Sequence, residues 1–101
     1  MKKVDLIVTR HAAMKSFLIE KGVADETTPV LPHASAEQVR GKRVAGVLPI
    51  HLVAETSSYT TVELALPLEM RGKELSLDDM RMYCRGLRSF VCWETTELEG
   101  R

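Results

Sequence analysis

No run in this chain approaches the ~20 consecutive apolar residues of a membrane span, so no membrane partner is expected. Nor does one sign of charge prevail: fourteen Lys and Arg stand against fourteen Asp and Glu. Tight, non-specific binding to long nucleic acid needs a broad basic surface, and this balance argues against it. A small anion held by a few local cations and backbone N–H groups stays compatible. Cysteine is scarce. Cys84 and Cys92 lack metal-ligand spacing, and both are expected to be reduced and partly buried in a cytoplasmic protein. Residues 1–8 carry a basic flank, but Asp5 interrupts a short apolar run, so no signal peptide is expected. There is no internal repeat and no low-complexity tract. The Gly-rich dinucleotide fingerprint and the P-loop are also missing, which leaves ordinary dinucleotide or nucleoside triphosphate use poorly supported. No Ser-His-Asp or Cys-His signature points to acyl transfer.

A length of 101 residues allows one domain with a real core. We expect that domain over residues 1–93, with a polar tail at 94–101. Residues 4–8 are apolar and rich in β-branched side chains, a buried strand. Residues 12–21 carry Met14, Phe17, Leu18 and Lys21 at helical spacing, with Gly22 as the stop. Residues 29–32 form a short strand whose prolines favour an edge. Ser35 with Gln38 matches a capping box, opening a short helix that Gly41 ends. Residues 44–50 are the most apolar run and read as a central strand, followed by a short helix at 51–55. Residues 59–66 alternate in part, with Val62, Leu64 and Leu66 on one face. A charged loop at 67–75 follows. Ser76 caps a helix with Asp78 and Asp79 in its first turn. Leu77, Met80, Tyr83, Cys84 and Leu87 fall on one helical face, and residues 89–93 read as a last strand of open direction. Alternation of this kind predicts an α/β fold: a compact, Rossmann-like three-layer sandwich around a mostly parallel five-stranded sheet.

What stands out is the placement of the histidines. His11, His33 and His51 each follow an apolar, strand-like run. If those runs are neighbouring parallel strands, the three side chains whose ordinary pKa lies near neutrality gather at the edge where open α/β sheets bind ligands. Thr9, Arg10 and His11 would form the first strand-to-helix turn. Helix N–H groups from Ala12 onward, the helix dipole, the Thr9 hydroxyl and a forked Arg10 contact all favour a phosphate there. The plainer reading makes Thr9 or His11 a simple cap and Arg10 a solvated charge. His33 and His51 follow Pro32 and Pro49 in similar phrases. Zinc often takes three protein ligands and keeps an open site, but no two histidines are four apart, so no metal and no cofactor is expected. Arg71 and Lys73 sit in a loop able to fold over the site. Arg85 and Arg88 read as charges near a helix carboxyl end, Lys42 and Arg43 as solvated charge at the opposite edge, and Trp93 and Tyr59 as core or dimer contacts.

The phrases at residues 8–11, 30–33 and 40–52, with 66–75 downstream, resemble a small CRISPR-associated family of the Csx group found beside type III systems. The resemblance spans residues 4–92. It implies a CARF-like domain that binds a cyclic oligoadenylate, with cyclic tetra-adenylate as the expected ring. It also implies a ring nuclease that cleaves by metal-independent attack of a ribose 2′-hydroxyl and switches off antiviral signalling. His11 would then do acid or base work, Arg10 would hold the scissile phosphate, and His33 and His51 would serve proton transfer or phosphate contact. Thr9, Ala12 and Pro49 would line the substrate. A homodimer is expected, because an even-membered ring is itself two-fold symmetric. The alternatives are a non-cleaving sponge or sensor, and a metal-dependent hydrolase of another nucleotide.

Overall fold

The computed structural model describes residues 3–95. Its strands are β1 at Leu6–Val8, β2 at Val30–Leu31, β3 at Arg43–Gly46, β4 at Ser58–Leu64 and β5 at Cys84–Phe90. Helix α1 spans Ala13–Glu20, α2 Ala36–Val39, α3 Ile50–Val53 and α4 Leu77–Tyr83. The strands lie in the order β2-β1-β3-β4-β5. β1 runs parallel to β2 and β3, and β3 runs parallel to β4. β5 runs antiparallel to β4. The sheet is therefore mixed, where a mostly parallel one was expected. The cause is local. Tyr83 ends α4, its carbonyl accepts from Ala65 N–H just past β4, and Cys84 begins the strand without a linker. A strand starting at that end of β4 can only run back along it.

Alternation sorts the strand residues onto two faces. Ile7 and Ala45 pack with Met14, Phe17, Leu18 and Met80, under α1 and α4. Leu6, Val8 and Val44 pack on the opposite face with Val39 of α2, and Leu48 and Leu52 close over them. Helices thus cover both faces of the sheet. Both expected caps form: Ser35 with Gln38 on α2, and Ser76 with Asp79 on α4.

Several boundaries move. The central strand ends at Gly46 rather than residue 50, and β4 stops at Leu64. The helical face expected to include Cys84 and Leu87 breaks after Tyr83. Both residues lie on β5 but still pack against the α1–α4 cluster, because burial on a strand satisfies the same apolar spacing. Arg85 and Arg88 belong to β5 as well, so no helix dipole explains them. Cys92 and Trp93 follow the strand's end at Phe90. Trp93 is 76% exposed and takes no part in the core. Both cysteines are free and half-buried. Glu94 and Thr95 have no regular structure, and the rest of the expected tail lies outside the described residues.

Gly46 closes β3 at φ +123°, and a Cβ there would sit 1.9 Å from the Val8 carbonyl oxygen. No rotamer relieves a clash with backbone. Gly46→Ala should destabilise the fold by about 3 kcal/mol or more, read as a lowered denaturation midpoint.

On the other side of the sheet, Arg81 ties α4 to α1. Its Nε lies 3.0 and 3.1 Å from the two Glu20 carboxylate oxygens, and its Nη1 donates to Asp78 at 2.7 Å. The Arg81 hydrogen bonds hold the Glu20 carboxyl below its ordinary value. A depressed carboxylate stabilises the fold above its unfolded pKa, and that contribution fades as pH falls through the folded one. Glu20→Gln should therefore be less stable than wild type at neutral pH, with the gap closing in acid, checked by thermal unfolding across pH.

Candidate functional site

The chain leaves β1 toward α1 on one face and leaves β3 toward α3 on the other. Strand order reverses between these neighbours, since β2 lies beyond β1 and β4 beyond β3. Open α/β sheets bind ligands at such a switch point, outside the carboxyl ends of the strands. A cavity of about 480 Å³ occupies that place. Thr9, Arg10 and His11 form one wall, and Pro32, His33 and Ala34 a second. Val47, Leu48 and Pro49 form the third, with Val8 and Leu52 between them. The lining is mostly apolar with a few polar groups, the usual make-up of a small-molecule site.

The third wall is fixed by Tyr59. Its hydroxyl donates to the Gly46 carbonyl at 2.6 Å and accepts from Leu48 N–H at 3.2 Å. Burial pushes its phenol up, so it stays a protonated donor. The Val47 N–H, in turn, donates to the Val8 carbonyl at 2.9 Å.

The first wall is built by Thr9. Its buried hydroxyl accepts from the His11 N–H at 3.1 Å, which commits it to shaping the turn. Arg10 is exposed on the cavity rim. Arg40, Arg43, Arg81 and Arg88 each pair with a carboxylate, whereas Arg10, like Arg71 and Arg85, makes no ion pair among the described residues. His11 is half-buried, and its Nδ1 lies 2.9 Å from a Glu74 carboxylate oxygen. A carboxylate only accepts, so Nδ1–H donates. In the neutral ring this leaves Nε2 as a free acceptor. Glu74 belongs to the loop after β4. With Lys73, Gly72, Leu66 and Leu75 it bounds a second cavity of about 410 Å³, also lined by Arg10 and His11.

The expected site residues thus divide. Thr9, Arg10, His11, His33 and Pro49 line one cavity. Ala12 does not: it is exposed at the N-cap of α1. His51 does not either. β3 ends early, so His51 falls inside α3, where it borders a smaller cavity with Ile50, Ala54, Cys92 and Trp93. Leu52, one residue on, faces the main cavity, and a helix turns about 100° per residue. Of the two cations in the loop expected to fold over, Lys73 reaches the second cavity. Sequence reasoning missed Glu74. Its only signal was an acid in that same charged loop, 63 residues from its partner. Among the described residues, no three His, Cys, Asp or Glu side chains come together as metal ligands, and no helix is long and apolar enough to cross a membrane.

The family model described as "Putative CRISPR-associated protein (Cas_VVA1548)" matches residues 6–93. The chain belongs to this family. No curated protein and no solved structure gives a significant match. The match to the Cas_VVA1548 family takes in both cavities, from Val8 to Leu75.

The His11–Glu74 contact can be read directly. Nitrogen-15 NMR of the imidazole should show the neutral His11 ring protonated at Nδ1 in wild type. In Glu74→Ala it should shift to the Nε2-protonated form that an unconstrained histidine side chain favours. An unchanged tautomer would mean that Glu74 does not orient the ring.

Proposed function

We propose that the chain is a ring nuclease that binds and cleaves a cyclic oligoadenylate, with cyclic tetra-adenylate as substrate, and so damps type III CRISPR signalling in the cytoplasm. The observation that carries the reading is one wall of one cavity. There an unpaired guanidinium stands next to a histidine whose far nitrogen is held by a carboxylate. Family membership supplies the CRISPR setting. The three-layer sandwich, read as Rossmann-like, supplies a ligand crevice at the β1/β3 switch point.

The chemistry needs no water and no metal. The His11 Nε2 takes the proton of a ribose 2′-hydroxyl as that oxygen attacks the adjacent phosphorus. A 2′-O–P bond forms, the P–5′-O bond breaks, and the 5′-oxygen receives a proton, for which His33 is the donor on the facing wall. Arg10 binds the phosphate and stabilises its developing charge. Glu74 stabilises the imidazolium formed in the attack, as a carboxylate does when it holds the other nitrogen of a catalytic histidine. Two such cuts divide a four-membered ring into two linear di-adenylates, each with a 2′,3′-cyclic phosphate end. His51 has no part in this scheme. A two-fold dimer matches the symmetry of the ring.

The apolar lining of the cavity favours a second reading, a sponge or sensor that holds the ring without cutting it. Incubation with cyclic tetra-adenylate in EDTA, with products resolved by mass spectrometry, separates the two. Linear di-adenylate with a cyclic phosphate end is expected, and an intact ring after single-turnover incubation would overturn the nuclease reading. His11→Ala should slow cleavage by about a hundred- to ten-thousandfold and change ring binding far less.

A further inference from the structure

Arg10 and His11 line both the cavity of about 480 Å³ and the one of about 410 Å³. Each volume falls in the ~300–1,000 Å³ range of small-ligand sites. The pair therefore forms a partition with ligand space on either side. The two sides differ in chemistry. On one, Pro32, Leu48 and Leu52 offer apolar surface to the flat face of a base. On the other, Leu66 and Leu75 offer a smaller apolar wall, flanked by Lys73 and Glu74. Lys73 is exposed and makes no ion pair among the described residues. Glu74 uses one oxygen on His11.

A carboxylate beside an ammonium makes a poor site for a bare anion, because the like charge repels it. The same pair suits a phosphorylated nucleoside. The ammonium takes a phosphate oxygen, and the second carboxylate oxygen accepts from a ribose hydroxyl or an exocyclic amine. We infer that the cavity formed by residues 72–75 with Leu66 is a second nucleoside subsite, so that one protomer grips two adjacent nucleosides with their shared phosphodiester at Arg10 and His11. This rests on the reading of the chain as an oligoadenylate-cleaving enzyme. It adds a recognition unit: the dinucleotide step, not the single nucleotide.

The test uses the full chain and a dinucleotide that cannot be cut and carries a phosphate at each end, 5′-phospho-deoxyadenylyl-(3′,5′)-deoxyadenosine 3′-phosphate, beside deoxyadenosine 5′-monophosphate. Leucine methyl NMR reads the two cavities separately, through Leu48 and Leu52 on one side and Leu66 and Leu75 on the other. The dinucleotide should shift both sets of methyls, and the mononucleotide mainly the first. Lys73→Met lies on an exposed loop and should leave the fold intact. It should weaken the dinucleotide about tenfold, the size of one charge-assisted hydrogen bond, and leave the mononucleotide nearly unchanged. If the dinucleotide moves Leu48 and Leu52 alone, or if Lys73→Met has no effect on its affinity, the second subsite is wrong while the nuclease reading stands. If neither compound moves any of these methyls, the nucleotide reading fails and the subsite with it.

Discussion

The approach of Gly46 to Val8 governs the rest of this architecture. β3 must come close enough for the Val47 N–H to reach the Val8 carbonyl at 2.9 Å, and only a residue without Cβ fits there. From that contact the chain turns through Leu48 and Pro49 into α3. Tyr59, one strand over, holds the turn by bonding both Gly46 and Leu48. The third wall of the cavity is thus a hydrogen-bonded corner hung on a glycine. The first wall leaves β1 at the same Val8. The separation of the two walls is consequently set by main-chain geometry, and side-chain packing only fills in behind it.

Charge is distributed around this frame in two ways. Away from the cavity, several arginines are paired: Arg43 pairs with Asp5 at the other end of the sheet, and Arg81 clamps α1 to α4. Exposed pairs of this kind add little stability one by one. At the cavity the carboxylate of Glu74 is spent on His11, not on Arg10. No ion pair among the described residues has to break for an anion to reach Arg10.

Much of this was legible in the sequence because it is local. The capping box at Ser35, the N-cap at Ser76, the buried run at residues 4–8 and the turn at Thr9, Arg10 and His11 all depend on residues within a few positions of one another. The failures share a different origin. The apolar run before His51 reads as strand to residue 50, yet β3 stops at a glycine whose close approach cannot be read from composition, and the early helix rotates His51 away. Cys84 and Leu87 kept helical spacing while the backbone changed to strand, because burial alone does not distinguish the two. Glu74 reaches His11 only through the return of the chain after β4, and a contact between distant segments leaves no local mark.

The two layers over the sheet are not equal. α1 and α4 are the longer helices, joined by the Glu20–Arg81 contact, whereas α2 and α3 have four residues each. A single turn of helix has no stability of its own. It persists through its cap and through what it packs on. The segments leading into α2 and α3 line the cavity, with Leu52 of α3 itself, and this thinner layer is expected to open at lower free energy than α1 and α4. The cavity's first wall is the turn that leads into α1. A ligand lodged between them ties the thin layer to the thick one, so occupancy would be felt first as slower amide exchange in α2 and α3, well before any change in the global unfolding of the sheet.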